Sequence, residues 1–305
     1  MNYIGSKKTL KDWIFQTIDK YTKDCEIFCD LFAGSCEITK EAKKRNYTVI
    51  SNDLQYYSYI LSKYYLEDNQ EIDIPEICPV EGTITKLYSK QSKYFTEENA
   101  KICDGYLKYI KDNGENIPLL ANLIMAMDCV ANTASIYGAY LKKYKQSSLK
   151  KVSLKQEIIN GKNGKAYCEP AEILINKISG DILYMDPPYN TRQYSSNYHV
   201  LETIARNDEP EVHGKTLLRN DCKKSLFSSK RFAKKALEEI IKNAKFKYIF
   251  MSYNNEGILS LEDIKQIFEK YGSYSLETKE YKKFNSGSGV LEKNTIEYLH
   301  ILIKQ

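Results

Sequence analysis

The chain has 305 residues, a length that can bury one large core together with a smaller second unit. Its eight cysteines lack paired C-x-x-C spacing and its three histidines are scattered, so neither a zinc site nor a disulfide framework is predicted. No apolar run reaches the roughly eighteen residues of a membrane span, and the first residues lack the apolar core of a signal peptide. With a modest formal charge of +5, these features predict a soluble cytoplasmic protein without a metal centre.

The amino-terminal part of the sequence has the pattern of a βαβ unit. A helix predicted over residues 6–20 precedes a strand over 26–32, a small-residue turn (Ala33-Gly34-Ser35-Cys36), a helix over 37–45 and a strand over 47–51. Asp53 closes the second strand, where a carboxylate can accept hydrogen bonds from ribose hydroxyls. The turn is not G-x-G-x-x-G, which disfavours a dinucleotide site.

The middle of the chain differs in composition from both ends. After a helix predicted over residues 54–66, the sequence becomes polar and rich in Lys, Asn and Tyr, with helical stretches near 83–111 and 117–142 and no pattern of a parallel strand. We predict an inserted helical unit at 66–165 and a main domain formed by 1–65 and 166–305. A purely structural insertion remains the alternative.

The most informative residues are Asp186-Pro187-Pro188-Tyr189, which end a buried strand over 181–185. A short third strand at Ala166 and a helix over 170–177 come before it. Two prolines end the strand and restrict the turn, so a carboxylate, a carbonyl and an aromatic ring are held together at the carboxyl end of a sheet. Open α/β sheets bind ligands at that edge. The alternative is an ordinary exit from a strand into a loop.

The carboxyl-terminal part supplies a long loop and the remaining strands. Residues 190–228 are predicted as a flap that contains a short helix over 199–206. A fifth strand over 246–252 and a helix over 259–270 follow. The last two strands, 274–284 and 294–304, flank a turn-forming stretch at 285–289 and are therefore predicted to pair as an antiparallel hairpin.

Basic residues are concentrated in two segments of an otherwise acidic chain. Residues 142–165 hold eight lysines against one glutamate, and residues 215–247 hold eleven Lys or Arg against three acidic residues. This distribution is typical of proteins that contact phosphates, although two solvated faces would give the same pattern. The candidate phosphate contacts are Lys150, Lys151, Lys155, Arg192, Lys223 and Lys224.

Six motifs occur in an order that resembles the Dam-like, alpha-ordered group of adenine-specific DNA methyltransferases. They are residues 2–7, 30–35 with 52–53, 167–169, 186–189, 250–254 and 295–299. The chain departs from the family at Cys36, where glycine is usual; because cysteine is small, we expect the turn to tolerate the change.

The resemblance implies a Rossmann-like methyltransferase fold of class α/β, with a mostly parallel seven-stranded sheet whose last strand is reversed, and a target-recognition insertion at 66–165. It also implies S-adenosyl-L-methionine as cofactor. Tyr3 and Lys7 would lie at its methionine end and Asp53 at its ribose. The remaining implied cofactor residues are Asp30, Phe32, Ala33, Gly34 and Ser35 at the methionine, Cys168 or Glu169 at the adenine, and Asp186 beside the methyl group.

The predicted reaction is methylation of the exocyclic N6 amine of adenine in double-stranded DNA. Asp186 and the carbonyl of Pro187 would accept hydrogen bonds from the amine, Pro188 would stiffen the loop, and Tyr189 would stack on a flipped base. A cognate restriction endonuclease would be a functional partner, and no membrane partner is expected.

Three alternatives stay open on the sequence. They are methylation of the exocyclic amine of cytosine, methylation of adenine in RNA, and a non-catalytic DNA-binding relative. Methylation of cytosine at carbon 5 is disfavoured, because it needs a nucleophilic cysteine, usually in Pro-Cys, and no Pro-Cys occurs in the chain.

Overall fold

A seven-stranded sheet forms the centre of the protein in a computed structural model, which describes residues 5–282 and 294–305. The strands are β1 (Ile27–Asp30), β2 (Thr48–Asn52), β3 (Lys165–Tyr167), β4 (Ser179–Met185), β5 (Lys245–Asn254), β6 (Gly272–Lys282) and β7 (Asn294–Lys304). Their spatial order is β3-β2-β1-β4-β5-β7-β6. β1 to β5 pair in parallel, whereas β7 is antiparallel to both of its neighbours. The predicted sheet with a reversed last strand is confirmed.

Helices cover both faces of this sheet. They include α1 (Lys11–Tyr21), α2 (Glu37–Lys44), α3 (Tyr56–Leu66), α4 (Glu97–Asn113), α5 (Ile117–Val130), the four-residue α6 (Ala171–Leu174), α7 (His199–Arg206), α8 (Ala233–Asn243) and α9 (Leu261–Glu269). Short helical turns lie at Lys7–Thr9, Thr83–Lys90, Gln146–Leu149, Tyr194–Asn197 and Leu226–Ser228, and a small hairpin pairs Val212–His213 with Leu218–Arg219. Within the described ranges no helix is long and apolar enough to cross a bilayer.

The central strands β1, β4 and β5 are largely buried on both faces because their side chains alternate between two cores. Phe28 and Ile182 face a core that α1 and α2 cover, whereas Leu183 and Ile249 face a core formed with α6, α8 and α9. This arrangement explains the nearly continuous apolar sequence of β4 and β5. Helix α8, which the sequence analysis did not predict, supplies Leu237, Ile240 and Ile241 to the second core.

A third core belongs to the helical segment between β2 and β3. It joins α4 and α5 to α3 and α7, so helices from both sides of residues 66–165 contribute to it. Buried tyrosines, among them Tyr57, Tyr88 and Tyr94, provide much of its volume. The helical segment therefore packs continuously with the sheet-bearing part of the chain.

Two predicted helices in this segment were wrong in extent. The stretch predicted over 83–111 is interrupted after Lys90, and α4 begins only after Thr96, whose side chain accepts a hydrogen bond from the Asn99 backbone N–H. The stretch predicted over 117–142 ends at Val130, since Ala131 is extended. Asn132 then holds the loop, because its amide donates to the carbonyls of Lys93 and Leu141 at 2.9 and 3.0 Å.

Candidate active site

A cavity of about 400 Å³ opens at the carboxyl edge of the parallel strands. It lies between the neighbouring strands β1 and β4. From β1 the chain order runs to one edge of the sheet through β2 and β3, and from β4 it runs to the other edge through β5, so this place is the topological switch point of the sheet. The cavity wall contains predicted residues from six parts of the chain: Lys7, Asp30, Phe32, Ala33, Gly34, Ser35, Asp53, Glu169, Asp186, Pro188 and Lys224. Tyr3 lies outside the described residues.

Asp186 begins the loop after β4 and is paired with Lys7. Its Oδ1 lies 2.8 Å from Lys7 Nζ, and the carboxylate is 19% exposed. Burial raises the pKa of Asp186 above its usual value, although the Lys7 ammonium opposes that shift. Pro188 lines the cavity and Pro187 is buried beside it. The loop thus holds the carboxylate at the cavity while the two prolines restrict the backbone.

Tyr189 lies behind the cavity wall. Its ring packs edge-on against Tyr253 with ring centroids 6.4 Å apart, and its carbonyl accepts a hydrogen bond from the Ile258 N–H at 2.9 Å. The Tyr189 side chain is half-buried, and Tyr194 is the tyrosine of this loop that lines the cavity. Both tyrosine hydroxyls approach Gly5, whose φ is 76°. A Cβ at this position would lie 3.2 Å from the Tyr194 hydroxyl and 3.5 Å from the Tyr189 hydroxyl, so glycine allows the close approach.

Lys7 bridges Asp186 to Glu297, a residue to which the sequence analysis gave no role. Lys7 Nζ lies 3.2 Å from Glu297 Oε1, and it also donates to the Gly5 carbonyl at 3.3 Å. Lys7 is only 6% exposed, so it is not a solvated helix residue. Burial alone would lower its pKa, but the two carboxylates outweigh burial and raise that pKa well above its usual value.

Asp30, at the end of β1, lines the cavity and has one buried carboxylate oxygen without a hydrogen-bond partner in the part of the chain that the structure describes. Its Oδ2 accepts a hydrogen bond from Thr39 Oγ1 at 2.7 Å, whereas Oδ1 has no hydrogen-bond partner among the described residues. The residue is 1% exposed. Burial raises its pKa to about 7, and the Thr39 hydroxyl opposes that shift. Such an oxygen fits a cationic donor from a ligand.

The turn after β1 is tied to Asp53 at the end of β2. Asp53 Oδ2 accepts from the Gly34 N–H and Oδ1 from the Gln55 N–H, each at 2.8 Å. Burial raises the pKa of Asp53 to about 6 despite these donors. Gly34 has a φ of 51°, and Cys36 adopts a left-handed φ of 61° with its thiol buried 3.3 Å from Ser62 Oγ. The cysteine therefore directs its side chain into the core, away from the cavity.

Of the two candidates for the adenine end of the cofactor, Cys168 and Glu169, the structure places only Glu169 on the cavity wall. Glu169 lines the cavity, and its backbone exchanges two hydrogen bonds, each of 3.1 Å, with the side chain of Asn52. Its carboxylate pairs with Lys177. Cys168 is not part of the cavity wall; its Sγ lies 3.9 Å from the Leu54 carbonyl, and burial raises its pKa to about 11.

Sequence reasoning assigned no role to several residues of the cavity wall. They include Glu37, Asn52, Leu54, Gln55, Pro170, Ile173, Gln193, Tyr194 and Leu226. Ile173 and Leu226 are half exposed at the mouth of the cavity. Ile173 lies in α6, which begins directly after Pro170, whereas Leu226 begins a separate helical turn.

The candidate phosphate contacts lie on several surfaces. Lys150, Lys151, Lys155, Arg192, Lys223 and Lys224 are all exposed, and of these Lys224 borders the cavity. Arg219, which belongs to the second basic segment, is instead 2% exposed and forms a double hydrogen bond of 2.6 Å with Asp208. It also pairs with Asp221. Part of that segment's charge therefore holds the loop before α8 rather than facing solvent.

The sheet order, the reversed β7 and a cavity at the switch point with acidic residues after β1, β2 and β4 define a Rossmann-like methyltransferase fold. Residues 3–267 match the model of the D12 class N6 adenine-specific DNA methyltransferases, and the chain belongs to that family. The match favours adenine over the cytosine amine and DNA over RNA.

Curated relatives include modification enzymes that align along the whole chain. The Type II methyltransferase M.NlaIII of Neisseria lactamica is 40% identical over 100% of this chain and 99% of its own length. M.CviAII of Paramecium bursaria Chlorella virus 1 is 35% identical over 98% of this chain and 97% of its own length. M.FokI of Planomicrobium okeanokoites is 36% identical over all of this chain, which spans 53% of that protein.

Proposed function

We propose that the cavity binds S-adenosylmethionine and that Asp186 acts on the N6 amine of an adenine flipped from duplex DNA. The observation that carries this proposal is the free Oδ1 of buried Asp30, which shares one cavity with Asp53 and Asp186. When bound, S-adenosylmethionine supplies a methyl group activated by a positively charged sulfur.

The residues present fit this cofactor at both of its ends. The Asp30 Oδ1 atom offers an acceptor for the amine of the methionine part, and the Gly34 turn leaves room for close approach of the chain. The Asp53 carboxylate, which has further lone pairs beyond its two backbone donors, would accept from ribose hydroxyls. Glu169 and apolar Ile173 would flank the adenine. A volume of about 400 Å³ lies in the range usual for small-molecule sites.

The chemistry assigned to Asp186 follows from its contacts. The exocyclic amine of adenine is a poor nucleophile because its lone pair is delocalised into the ring. Lys7 occupies Asp186 Oδ1, which leaves Oδ2 to accept from the amine, and the Pro187 carbonyl would accept its second hydrogen. Two acceptors would localise the lone pair on nitrogen and orient it, so positioning supplies much of the rate enhancement.

Access to the amine requires the base to leave the helix, because the nitrogen is out of the site's reach inside a duplex. Tyr189, and Tyr194 on the cavity wall, are the aromatic rings beside Asp186 that could receive the base. We further propose that residues 66–165 form the target-recognition unit, that the exposed lysines contact phosphates, and that a restriction endonuclease is the functional partner. The Type II names of the relatives support the last point.

Calorimetry with S-adenosylmethionine tests the cofactor assignment. Asp30→Ala and Asp53→Ala should each weaken binding by about 1 to 3 kcal/mol, through loss of a charged acceptor. Asp19→Ala, which removes an exposed carboxylate paired with Arg45, is the matched control and should bind as the wild type does. Unchanged affinity in both cavity variants would remove the cofactor from this cavity.

A further inference from the structure

The reversed strand β7 delivers a carboxylate to the back of the active site. Because β7 is antiparallel to β5, its amino-terminal end lies at the carboxyl edge of the parallel strands. Glu297 sits near that end, opposite Asn254 of β5 and Lys279 of β6. Its side chain is 2% exposed. Strand reversal therefore buries an acidic group where the other acidic residues of the site are found.

Glu297 contacts the active site through Lys7. Lys7 and Asp186 both line the cavity, whereas Glu297 does not. The Lys7 ammonium lies 3.2 Å from Glu297 Oε1 and 2.8 Å from Asp186 Oδ1. One buried cation thus joins a carboxylate that faces the cavity to a carboxylate behind it.

The charges of these three groups are mutually dependent. Two ionised carboxylates with one ammonium leave a net negative charge in a buried place, which is costly. Burial, assisted by repulsion from Asp186, raises the pKa of Glu297 to about 7, while Lys7 opposes the shift. The other titratable groups that face this cluster include the phenols of Tyr184, Tyr189 and Tyr194 and the carboxyl of Asp30. Opposite Glu297 in register, the Lys279 ammonium lies over the Trp13 ring at 5.8 Å.

We propose that Glu297 is a positioning residue for methyl transfer: its carboxylate fixes Lys7 Nζ against Asp186 Oδ1, so that Asp186 presents its second oxygen to the target amine. This inference rests on the proposed role of Asp186. Glu297 touches no substrate in this scheme, and its effect passes entirely through the Lys7 ammonium. In metal sites, losing a partner that orients a ligand typically reduces activity by roughly 10- to 100-fold, and we expect a comparable loss here.

Glu297→Gln tests the role with little change of shape. We expect kcat for DNA methylation to fall on the order of tenfold with KM for DNA and for S-adenosylmethionine unchanged, and Glu297→Asp to restore part of the rate. The wild-type rate should rise through about pH 7 as Glu297 loses its proton, and the Gln variant should lack that component. Glu277→Gln, which removes a carboxylate that pairs with Lys20 and accepts from the Tyr21 hydroxyl outside the cavity wall, is the control. Wild-type kcat and pH profile in Glu297→Gln would overturn the proposal.

A double-mutant cycle with Lys7→Met separates positioning from general stabilisation. If Glu297 acts through Lys7, adding Glu297→Gln to Lys7→Met should not lower kcat further, and it should raise Tm because an unpaired buried carboxylate is removed. This comparison remains decisive if Glu297→Gln alone folds poorly. An equal loss of kcat in both backgrounds would overturn the proposal. A folded wild type that methylates no adenine would overturn the proposed function, and this inference with it.

Discussion

Three carboxylates at one edge of the sheet, Asp30, Asp53 and Asp186, are buried in different surroundings. Asp30 has one buried oxygen without a hydrogen-bond partner among the residues that the structure describes, Asp53 accepts from two backbone N–H groups, and Asp186 pairs with Lys7. The same side chain can therefore serve three purposes: to accept from a ligand amine, to fix a turn beside a ribose, and to act on the reacting nitrogen. Differences in local donors and cations, rather than in residue type, distinguish these purposes.

Asp186→Ala should abolish methyl transfer while cofactor binding survives. The carboxylate acts on the target amine, so its loss should reduce the rate by a factor of at least about 100, as for other groups that handle a proton during reaction. Incorporation of labelled methyl groups into DNA measures the first effect and calorimetry the second. A folded variant that no longer binds S-adenosylmethionine would show that Asp186 belongs to the cofactor site instead.

Tyr189→Phe should retain most of the activity, whereas Tyr189→Ala should be much slower. Stacking of a base on an aromatic ring contributes on the order of 1 to 3 kcal/mol, and phenylalanine keeps the ring. With 2-aminopurine at the target position, fluorescence should rise on binding, and the alanine variant could be brighter because the quenching ring is gone. Equal methylation rates for the alanine variant and the wild type would leave Tyr189 only its packing contact with Tyr253.

The sequence was informative about residues that follow strands and silent about contacts between distant segments. Asp30, Asp53 and Asp186 could be placed at one edge because parallel strands align their carboxyl ends. The pairing of Lys7 with Glu297 could not be foreseen, since the two residues belong to opposite ends of the chain and no local pattern joins them. Their proximity depends on the hairpin register of β6 and β7.

Among the secondary structure elements, strands were predicted more accurately than helix ends. The two-sided burial of β4 and β5 leaves a continuous apolar run that the sequence displays directly. Helix ends in residues 83–142 depend on side chains that capture the backbone, as Asn132 does for two carbonyls. Asp104 likewise accepts from the N–H groups of Gly82, Ile84 and Thr85, an arrangement visible only after folding.

The segment after α5 provides a test of its predicted contact with DNA. Replacing Lys150, Lys151 and Lys155 together by glutamine should weaken DNA binding for all sequences and flatten its salt dependence, while the preferred site stays the same. The three side chains are exposed, so the change should leave folding intact. Titrations at several salt concentrations measure the effect.

The matched control for this triple variant removes the same charge elsewhere. Lys20, Lys265 and Lys270 lie outside both basic segments, have solvent-accessible side chains, and each pairs with a carboxylate. Their replacement by glutamine should change DNA affinity less. If both triple variants bind DNA as the wild type does, residues 150–155 form a solvated face; if sequence preference alone is lost, they contact base edges.

At the scale of the whole molecule, the position of the site is set by the topological switch point of the sheet and by the reversed strand β7. Strands β1 and β4 are neighbours at the switch point, and the antiparallel β7 brings its first residues to the same edge. The order of motifs along the chain was enough to predict this sheet. It was not enough to predict the shared core between α3, α4, α5 and α7, which joins the helical segment to the rest of the protein.

Buried carboxyl groups should also make the stability of the ligand-free protein depend on pH. The pKa of Asp30 rises from 3.8 to about 7, and that of Glu297 from 4.5 to about 7. Between about pH 4 and 7 the folded state therefore binds more protons than the unfolded chain at these groups, and their contribution to stability falls as pH rises, then levels off above about 7.

Asp30→Asn isolates one of these contributions. Asparagine keeps an acceptor for Thr39 without the buried charge. The Tm of the variant minus the Tm of the wild type should therefore become larger as the pH rises from 4 to 7. We expect at least about 2 °C, the shift typical of 1 kcal/mol in a protein of this size. A Tm difference that is independent of pH would mean that Asp30 titrates as it does in the unfolded chain.

The most direct test of the proposed reaction identifies the methylated atom. Duplex DNA incubated with the protein and S-adenosylmethionine would be hydrolysed to nucleosides and analysed by mass spectrometry. The wild type should produce N6-methyladenine, and Asp186→Ala should produce none. N4-methylcytosine as the product, methylation of RNA in preference to DNA, or equal product from the Asp186→Ala variant would contradict the role of this site.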